Sequence, residues 1–238
     1  MLRRTRELGV DLFQVCDYAP LASFPDARLR DIRSLAGDLG VALELGTRGI
    51  RPAHLDAQLR TAGLLGATLV RSMTATADDK PTLCEADVAL REALPAWEAA
   101  GVTLALETYE QISSRDLVAL VETVASESLG ICLDPANTVA ALENPVDVID
   151  RCAPWVRNIH MKDFAFIRRD GWVGFALEGA ELGTGLLDYA HLMRTVDPEP
   201  RGINRIIEHW LPWQGDFAET ARVENLWNQR NIDYLRSA

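Results

Sequence analysis

The stretch Ala99-Ala100-Gly101-Val102-Thr103-Leu104-Ala105-Leu106-Glu107 joins a helix end, a strand and a carboxylate. The two alanines close an amphipathic run, and Gly101 is the residue that best accepts the left-handed conformation just past a helix. The apolar run that follows has strand length and stops on a charge. The same punctuation recurs at Gly9-Val10, Gly40-Val41 and Gly66-Ala67. Working outward, strands are expected at Val10–Cys16, Val41–Leu45, Thr68–Met73, Thr103–Glu107, Gly130–Asp134, Val156–His160 and Asn204–His209. Helices are expected at Leu2–Leu8, Asp26–Leu39, Pro52–Leu65, Glu85–Ala100, Ser113–Ala125, Pro145–Cys152, Asp188–Val196 and Phe217–Leu235. Ser113 and Asn144-Pro145 read as helix starts.

Strand–helix alternation along a whole chain means a parallel sheet. A doubly wound sheet would carry a Gly-rich phosphate turn after a strand, and none is present. The expected fold is a (β/α)8 TIM barrel that lacks its first strand, because the chain begins in a helix and shows seven strands. Either a first strand precedes Met1 or the gap is filled otherwise, for example by a partner chain. Residues 1–238 are expected to form one domain, a size that α/β barrels commonly reach. Phe164 to Gly185 interrupts the alternation, and Asp170-Gly171 between apolar runs is a hairpin signal. This segment, about 164–185, is expected to be a flap over the active-site face.

The chain has 24 Lys and Arg against 35 Asp and Glu, a net charge of −11. Such a chain repels a phosphate backbone, which argues against nucleic acid as a partner. No apolar run approaches the ~20 residues of a membrane helix. Met1-Leu2-Arg3-Arg4 is not followed by the apolar core of a signal peptide. Cys16, Cys84, Cys132 and Cys152 fit no metal or redox spacing and are expected to be unpaired, in keeping with a reducing cytoplasm.

Four expected strands end on groups that bind metals: Glu107, Asp134, His160 and Glu208. They stand 27, 26 and 48 residues apart, which is one β/α unit, another, and a unit plus the flap. Any one alone reads as a cap, a surface charge or a packed histidine. In register, they converge at the C-terminal face of a barrel. Three carboxylates crowded there repel one another, and a divalent cation removes that repulsion. One imidazole with three carboxylates suits Mn²⁺, Mg²⁺ or Co²⁺, with Zn²⁺ open.

Leu133-Asp134-Pro135-Ala136-Asn137, Asn158-Ile159-His160-Met161-Lys162-Asp163, Ile207-Glu208-His209-Trp210 and Glu107-Thr108-Tyr109 resemble the motifs of the xylose-isomerase-like sugar isomerase/epimerase superfamily. The resemblance spans about Gly9 to Trp210. It implies that Glu107, Asp134, His160 and Glu208 bind one divalent metal, and that Glu107 and Glu208 also flank the substrate and move protons. The expected substrate is a small carbohydrate, and a homo-oligomer is possible. A ketone polarised by the metal would lose a neighbouring proton to one carboxylate and regain it from the other, which is isomerisation or epimerisation. Loss of CO₂ beside the same ketone gives the same enediolate. The flap and Leu182-Gly183-Thr184-Gly185-Leu186-Leu187-Asp188 are similar to members that decarboxylate 3-oxo-isoapionate. A non-catalytic barrel subunit is the reading of a different class.

This sequence departs from the family at Asn137, where sugar epimerases often carry a substrate-touching His; Asn137 either meets substrate or caps the next helix. Glu44, Arg71, Lys162 and Trp210, with Trp213, are further candidates for the pocket wall. Lys162 could pair with Asp163 or reach an anionic substrate group. His54 and His191 lie on amphipathic helices and read as packing or surface residues.

Overall fold

In the computed structural model the description covers residues 1–237, the Trp172 side chain excepted; Ala238, the end of the expected domain, lies outside the described residues. The first half of the chain runs α1 (Leu2–Glu7), β1 (Leu12–Val15), α2 (Asp26–Leu39), β2 (Ala42–Arg48), α3 (Pro52–Leu65), β3 (Leu69–Met73), α4 (Leu83–Ala100) and β4 (Thr103–Glu107). It continues through α5 (Ser114–Val124), β5 (Leu129–Leu133), the short α6 (Pro135–Thr138), α7 (Pro145–Cys152) and β6 (Val156–Met161). A hairpin of β7 (Asp163–Arg168) and β8 (Phe175–Ala180) follows, then α8 (Tyr189–Val196), β9 (Asn204–Ile207) and α9 (Phe217–Ser237).

Seven strands form one parallel sheet in the order β1-β2-β3-β4-β5-β6-β9. Side chains of strands far apart in that order meet inside it. Gln14 Nε2 of β1 donates to Asn158 Oδ1 of β6 at 3.2 Å, and Asn204 Nδ2 of β9 donates to Glu44 Oε1 of β2 at 2.6 Å. The sheet is therefore rolled into a nearly closed barrel of the TIM type with one strand missing. Among the described residues no pairing joins β1 to β9, and both edges of this seam are half-buried where β3 and β5 are buried throughout. Helix α9 does reach across the seam to the turn between α1 and β1: Arg236 Nη2 donates to the Gly9 carbonyl at 2.7 Å.

The core lies between strands and helices. Leu90, Leu94 and Trp97 of α4 and Leu104 and Leu106 of β4 are all at most 2% exposed. Each such side chain contributes about 1.5–3 kcal/mol on burial. Helix α4 starts two residues before the expected Glu85. Thr82 accepts from the Glu85 amide while the Glu85 carboxylate accepts from the Thr82 amide at 2.8 Å, a reciprocal cap that fixes the first turn upstream. Gly101 takes φ +65, and the chain passes directly from α4 into β4. Among the described residues no helix is long and apolar enough to cross a membrane.

The hairpin β7–β8 occupies the segment that interrupts the alternation, antiparallel from Asp163↔Ala180 to Arg168↔Phe175. A two-stranded hairpin is marginal by itself, and here Asp163 anchors it. Its carboxylate accepts from the amides of Phe164, Gly183, Gly185 and Leu187 at 2.8–3.0 Å. The expected pairing of Asp163 with Lys162 is therefore not made: Lys162, between β6 and β7, is held by Asp134 and Glu208 instead. A Cβ on Gly185 would lie 2.3 Å from Asp163 Oδ1, so glycine is required for this close approach. Removing the carboxylate strands several buried N–H groups. Asp163→Ala should lower unfolding stability by about 2–4 kcal/mol and expose the 163–187 segment to protease. An unchanged urea midpoint with unchanged protease resistance would contradict this anchoring role.

Candidate metal centre

Glu107 is the last residue of β4, and Asp134 follows β5 as the cap of α6. His160 lies within β6, and Glu208 follows β9. One ligand atom from each of the four lies within 4.8 Å of all the others. His160 Nδ1 is central: it is 2.8 Å from Glu208 Oε2, 3.1 Å from Glu107 Oε1 and 3.9 Å from Asp134 Oδ2. Glu107, Asp134 and His160 are buried, whereas the Glu208 side chain is 35% exposed and forms the open side of the cluster.

Two buried cations complete the centre. Lys162 Nζ lies 2.7 Å from both Asp134 Oδ2 and Glu208 Oε1, and 4.4 Å from the centroid of the Trp210 ring. Arg71 Nε lies 3.2 Å from Glu107 Oε2, and Arg71 donates to the Thr47 carbonyl at 3.1 Å. Asn137 joins the two halves, donating to Glu107 Oε1 at 3.1 Å and accepting from Lys162 at 3.2 Å. Its side chain thus faces the cluster, and the cap of α6 is Asp134, whose Oδ1 accepts from the Ala136 and Asn137 amides.

Several site atoms are close to charges without hydrogen-bond geometry. Glu107 Oε2, Asp134 Oδ2, His160 Nδ1 and Arg71 Nε are buried and have no hydrogen-bond partner. Buried polar atoms are normally satisfied. Three of these four belong to the expected ligand set and converge on one point. The donor set therefore fits a divalent cation: acceptor-only oxygens, one imidazole nitrogen, and lone pairs not spent on hydrogen bonds.

The electrostatics agree. Burial raises the Asp134 pKa, against the pull of Lys162, to about 6. Burial also works against charge on Glu208, but His160 and Lys162 outweigh it and hold Glu208 well below the ordinary carboxylate range. At His160 burial disfavours the charged ring, yet Cys132, Glu107 and Glu208 hold its pKa above the usual histidine value. A metal needs the neutral ring, so binding must displace that proton.

The remaining candidates are distributed by layer. Glu44 lies beneath the cluster, not on the pocket wall, because β2 runs on to Arg48 and places Glu44 well inside the strand. There it accepts from Gln14, Asn158 and Asn204. Trp210 is half-buried under Lys162, whereas Trp213 is 65% exposed. His54 bonds Thr47, and His191 bonds Asp150, both away from the cluster. All four cysteines are free, with Cys132 and Cys152 buried, Cys16 half-buried and Cys84 exposed. Sequence reasoning missed Gln14 and Asn158. The available signal was the strand period of two: Asn158 stands two residues before His160 on the same face, and Gln14 is a lone amide in an apolar run.

Two outcomes follow from this geometry. Mn²⁺ should bind at about one ion per chain, and His160→Ala or Asp134→Ala should lower the affinity by at least ~100-fold in calorimetric titration. The apparent affinity should also rise with pH, since the raised His160 pKa means a proton is released on binding. Equal affinity at pH 5.5 and pH 8, or wild-type binding in both variants, would contradict the assignment.

The sequence profile of the xylose isomerase-like TIM barrel family matches residues 2–237. The 3-oxo-isoapionate decarboxylase of Pectobacterium atrosepticum is 49% identical over 235 residues, covering 99% of this chain and 86% of that protein. Among solved structures, a xylose isomerase-like TIM barrel protein from Mycobacterium smegmatis in complex with magnesium aligns with a TM-score of 0.72 at 21% identity, over 98% of this chain and 87% of that one. The D-psicose 3-epimerase of Clostridium cellulolyticum H10 with D-tagatose aligns with a TM-score of 0.75 at 14% identity, over 99% and 91%. These two share the fold. The family profile and the decarboxylase relative, taken with the strand order and the cluster at the strand ends, show that the chain belongs to the xylose isomerase-like TIM barrel family.

Proposed function

We propose that this chain, acting as one domain, is a divalent-metal-dependent decarboxylase of a 3-oxo sugar acid. Glu107, Asp134, His160 and Glu208 would hold the ion, with Mn²⁺ the preferred species. The observation that carries the reading is Lys162, a buried ammonium bridging Asp134 and Glu208 inside the ligand set. Around the cluster three carboxylates face two cations, Lys162 and Arg71. With His160 neutral, that leaves one negative charge, and a divalent ion makes it one positive. A centre so charged favours an anionic substrate over a neutral sugar. The relative that decarboxylates 3-oxo-isoapionate supports the same choice.

The bound ion supplies Lewis acidity to a ketone and an adjacent hydroxyl. The protein's own groups do the rest. Lys162, held between Asp134 and Glu208, would bind the substrate carboxylate and fix its orientation. Arg71 remains beside Glu107 and keeps that carboxylate ionised. The bond between the carboxylate carbon and its neighbour breaks, the electron pair moves toward the ketone oxygen, and CO₂ leaves. The resulting enolate carbon then takes up a proton. Glu208, on the open side, is placed to relay it from water, and Trp210 forms an apolar wall.

Epimerisation of a neutral sugar is the second reading, favoured by two carboxylates, Glu107 and Glu208, at 3.1 and 2.8 Å from His160 Nδ1. Asn137 weighs against it, because its amide is already bonded to Glu107 and Lys162. A non-catalytic subunit would retain buried, misaligned charges at a cost of several kcal/mol with no return.

The Mn²⁺-loaded protein should release CO₂ from 3-oxo-isoapionate. Glu208→Gln should lower kcat by about 10²–10⁴-fold, and Lys162→Met should raise KM by about 10–100-fold, the loss expected for a charge-assisted contact. Solvent-deuterium exchange into a neutral ketose without CO₂ release from the oxo acid would replace this reading with epimerisation.

A further inference from the structure

Beneath the cluster the barrel interior is polar on one side. Gln14 of β1 and Glu44 of β2 are register partners, as are Asn158 of β6 and Asn204 of β9. Glu44 is 2% exposed, Asn158 0% and Gln14 8%. With the Glu44 carboxylate ionised, the network has one direction. The Glu44 carboxylate accepts from Gln14 Nε2 at 3.0 Å, Asn158 Nδ2 at 3.0 Å and Asn204 Nδ2 at 2.6 Å. Asn158, its amino group turned to Glu44, presents Oδ1 to Gln14 Nε2 at 3.2 Å. Gln14 therefore has two acceptors on one side of its amide. Flipping it would set Oε1 against both, lose two buried hydrogen bonds and leave buried polar atoms stranded.

With that side fixed, Gln14 Oε1 faces upward, 3.0 Å from His160 Nε2, and also accepts from the Cys16 thiol at 3.0 Å. An amide oxygen only accepts, so His160 must carry its hydrogen on Nε2. The lone pair then lies on Nδ1, the nitrogen that points at Glu107, Asp134 and Glu208. We infer that Gln14, locked by Glu44 and Asn158, is a positioning residue that selects the Nε2–H tautomer of His160 and presents Nδ1 as a metal-binding atom. Outer partners of a ligating histidine fix its tautomer and orientation and raise its basicity, and losing one costs about 10–100-fold in metal affinity. The direction of the chain, from Glu44 to the ring, also gives Glu44 a role beneath the metal centre rather than against substrate.

This inference rests on His160 being a ligand, as in the proposed function. The test compares wild type, Gln14→Leu and Gln14→Met by Mn²⁺ titration calorimetry, with thermal unfolding of each, and by ¹⁵N NMR of the His160 ring in the Zn²⁺-loaded proteins. Both variants remove the acceptor, Met at nearly the same length. The expected result is a loss of Mn²⁺ affinity of about 10–100-fold for both. The wild-type ring should show a proton on Nε2 and zinc on Nδ1, and the variants should lose the slow exchange of that proton. Folded Leu or Met variants that bind Mn²⁺ as wild type does, or a wild-type ring with zinc on Nε2, would overturn the role of Gln14. A wild-type protein that binds no Mn²⁺ would remove the metal reading itself and this inference with it.

Discussion

Glu107 and Asp134 end adjacent strands, and each is almost wholly withdrawn from water; Glu208 meets them from the strand beyond His160. Three carboxylates within 4.8 Å of one another are the constraint on which the rest of this structure depends. Their repulsion and desolvation oppose folding. The chain offsets them with Lys162 and Arg71, both buried, and with the amides of Asn137 and Ala136. A divalent cation is the remaining and strongest way to bring such a group of oxygens together. Much that is unusual in the barrel is arranged around this requirement: a lysine in the interior, an arginine beside a glutamate, a layer of amides where a TIM barrel ordinarily packs branched aliphatic residues.

The fold delivers these groups because parallel strands all end at one face. A carboxylate or imidazole at the end of a strand needs no loop to place it, and rigid elements give a more exact site than loops do. The hairpin is pinned by Asp163, next to Lys162 in sequence, so adjacent residues serve the hairpin base and the charge cluster separately. The missing strand leaves the seam between β1 and β9 half-buried. Gln14 and Asn204, on its two sides, are nonetheless held through Glu44, so the amide layer ties the two edges together from within.

Most of the architecture was legible in the sequence, for a physical reason. Helix C-caps such as Gly101 and strand runs such as Thr103–Glu107 are local signals, and each expected strand and helix was recovered to within a few residues, whereas the one-turn α6 was not expected. Boundaries moved where side chains, not periodicity, set them: Thr82 and Glu85 start α4 early, and β2 extends to Arg48. The four convergent groups were legible because they repeat with the β/α unit. Their cationic partners were legible as candidates only, since whether Lys162 meets Asp163, Asp134 or a ligand depends on which face each residue takes. The residues of the amide layer carried at most single, local signals, and the bonds between them were not legible. Gln14 and Glu44 are 30 residues apart, and Glu44 and Asn204 are 160 apart; no local pattern announces a hydrogen bond between strands on opposite sides of a barrel.

The most direct test of the central claim is the anomalous scattering of Mn²⁺ in crystals of the protein soaked with the ion. One peak bounded by Glu107, Asp134, Glu208 and the Nδ1 atom of His160, with Lys162 drawn away from Asp134, is the predicted result. A soaked crystal with no peak there, or with manganese only at surface carboxylates, would contradict the account.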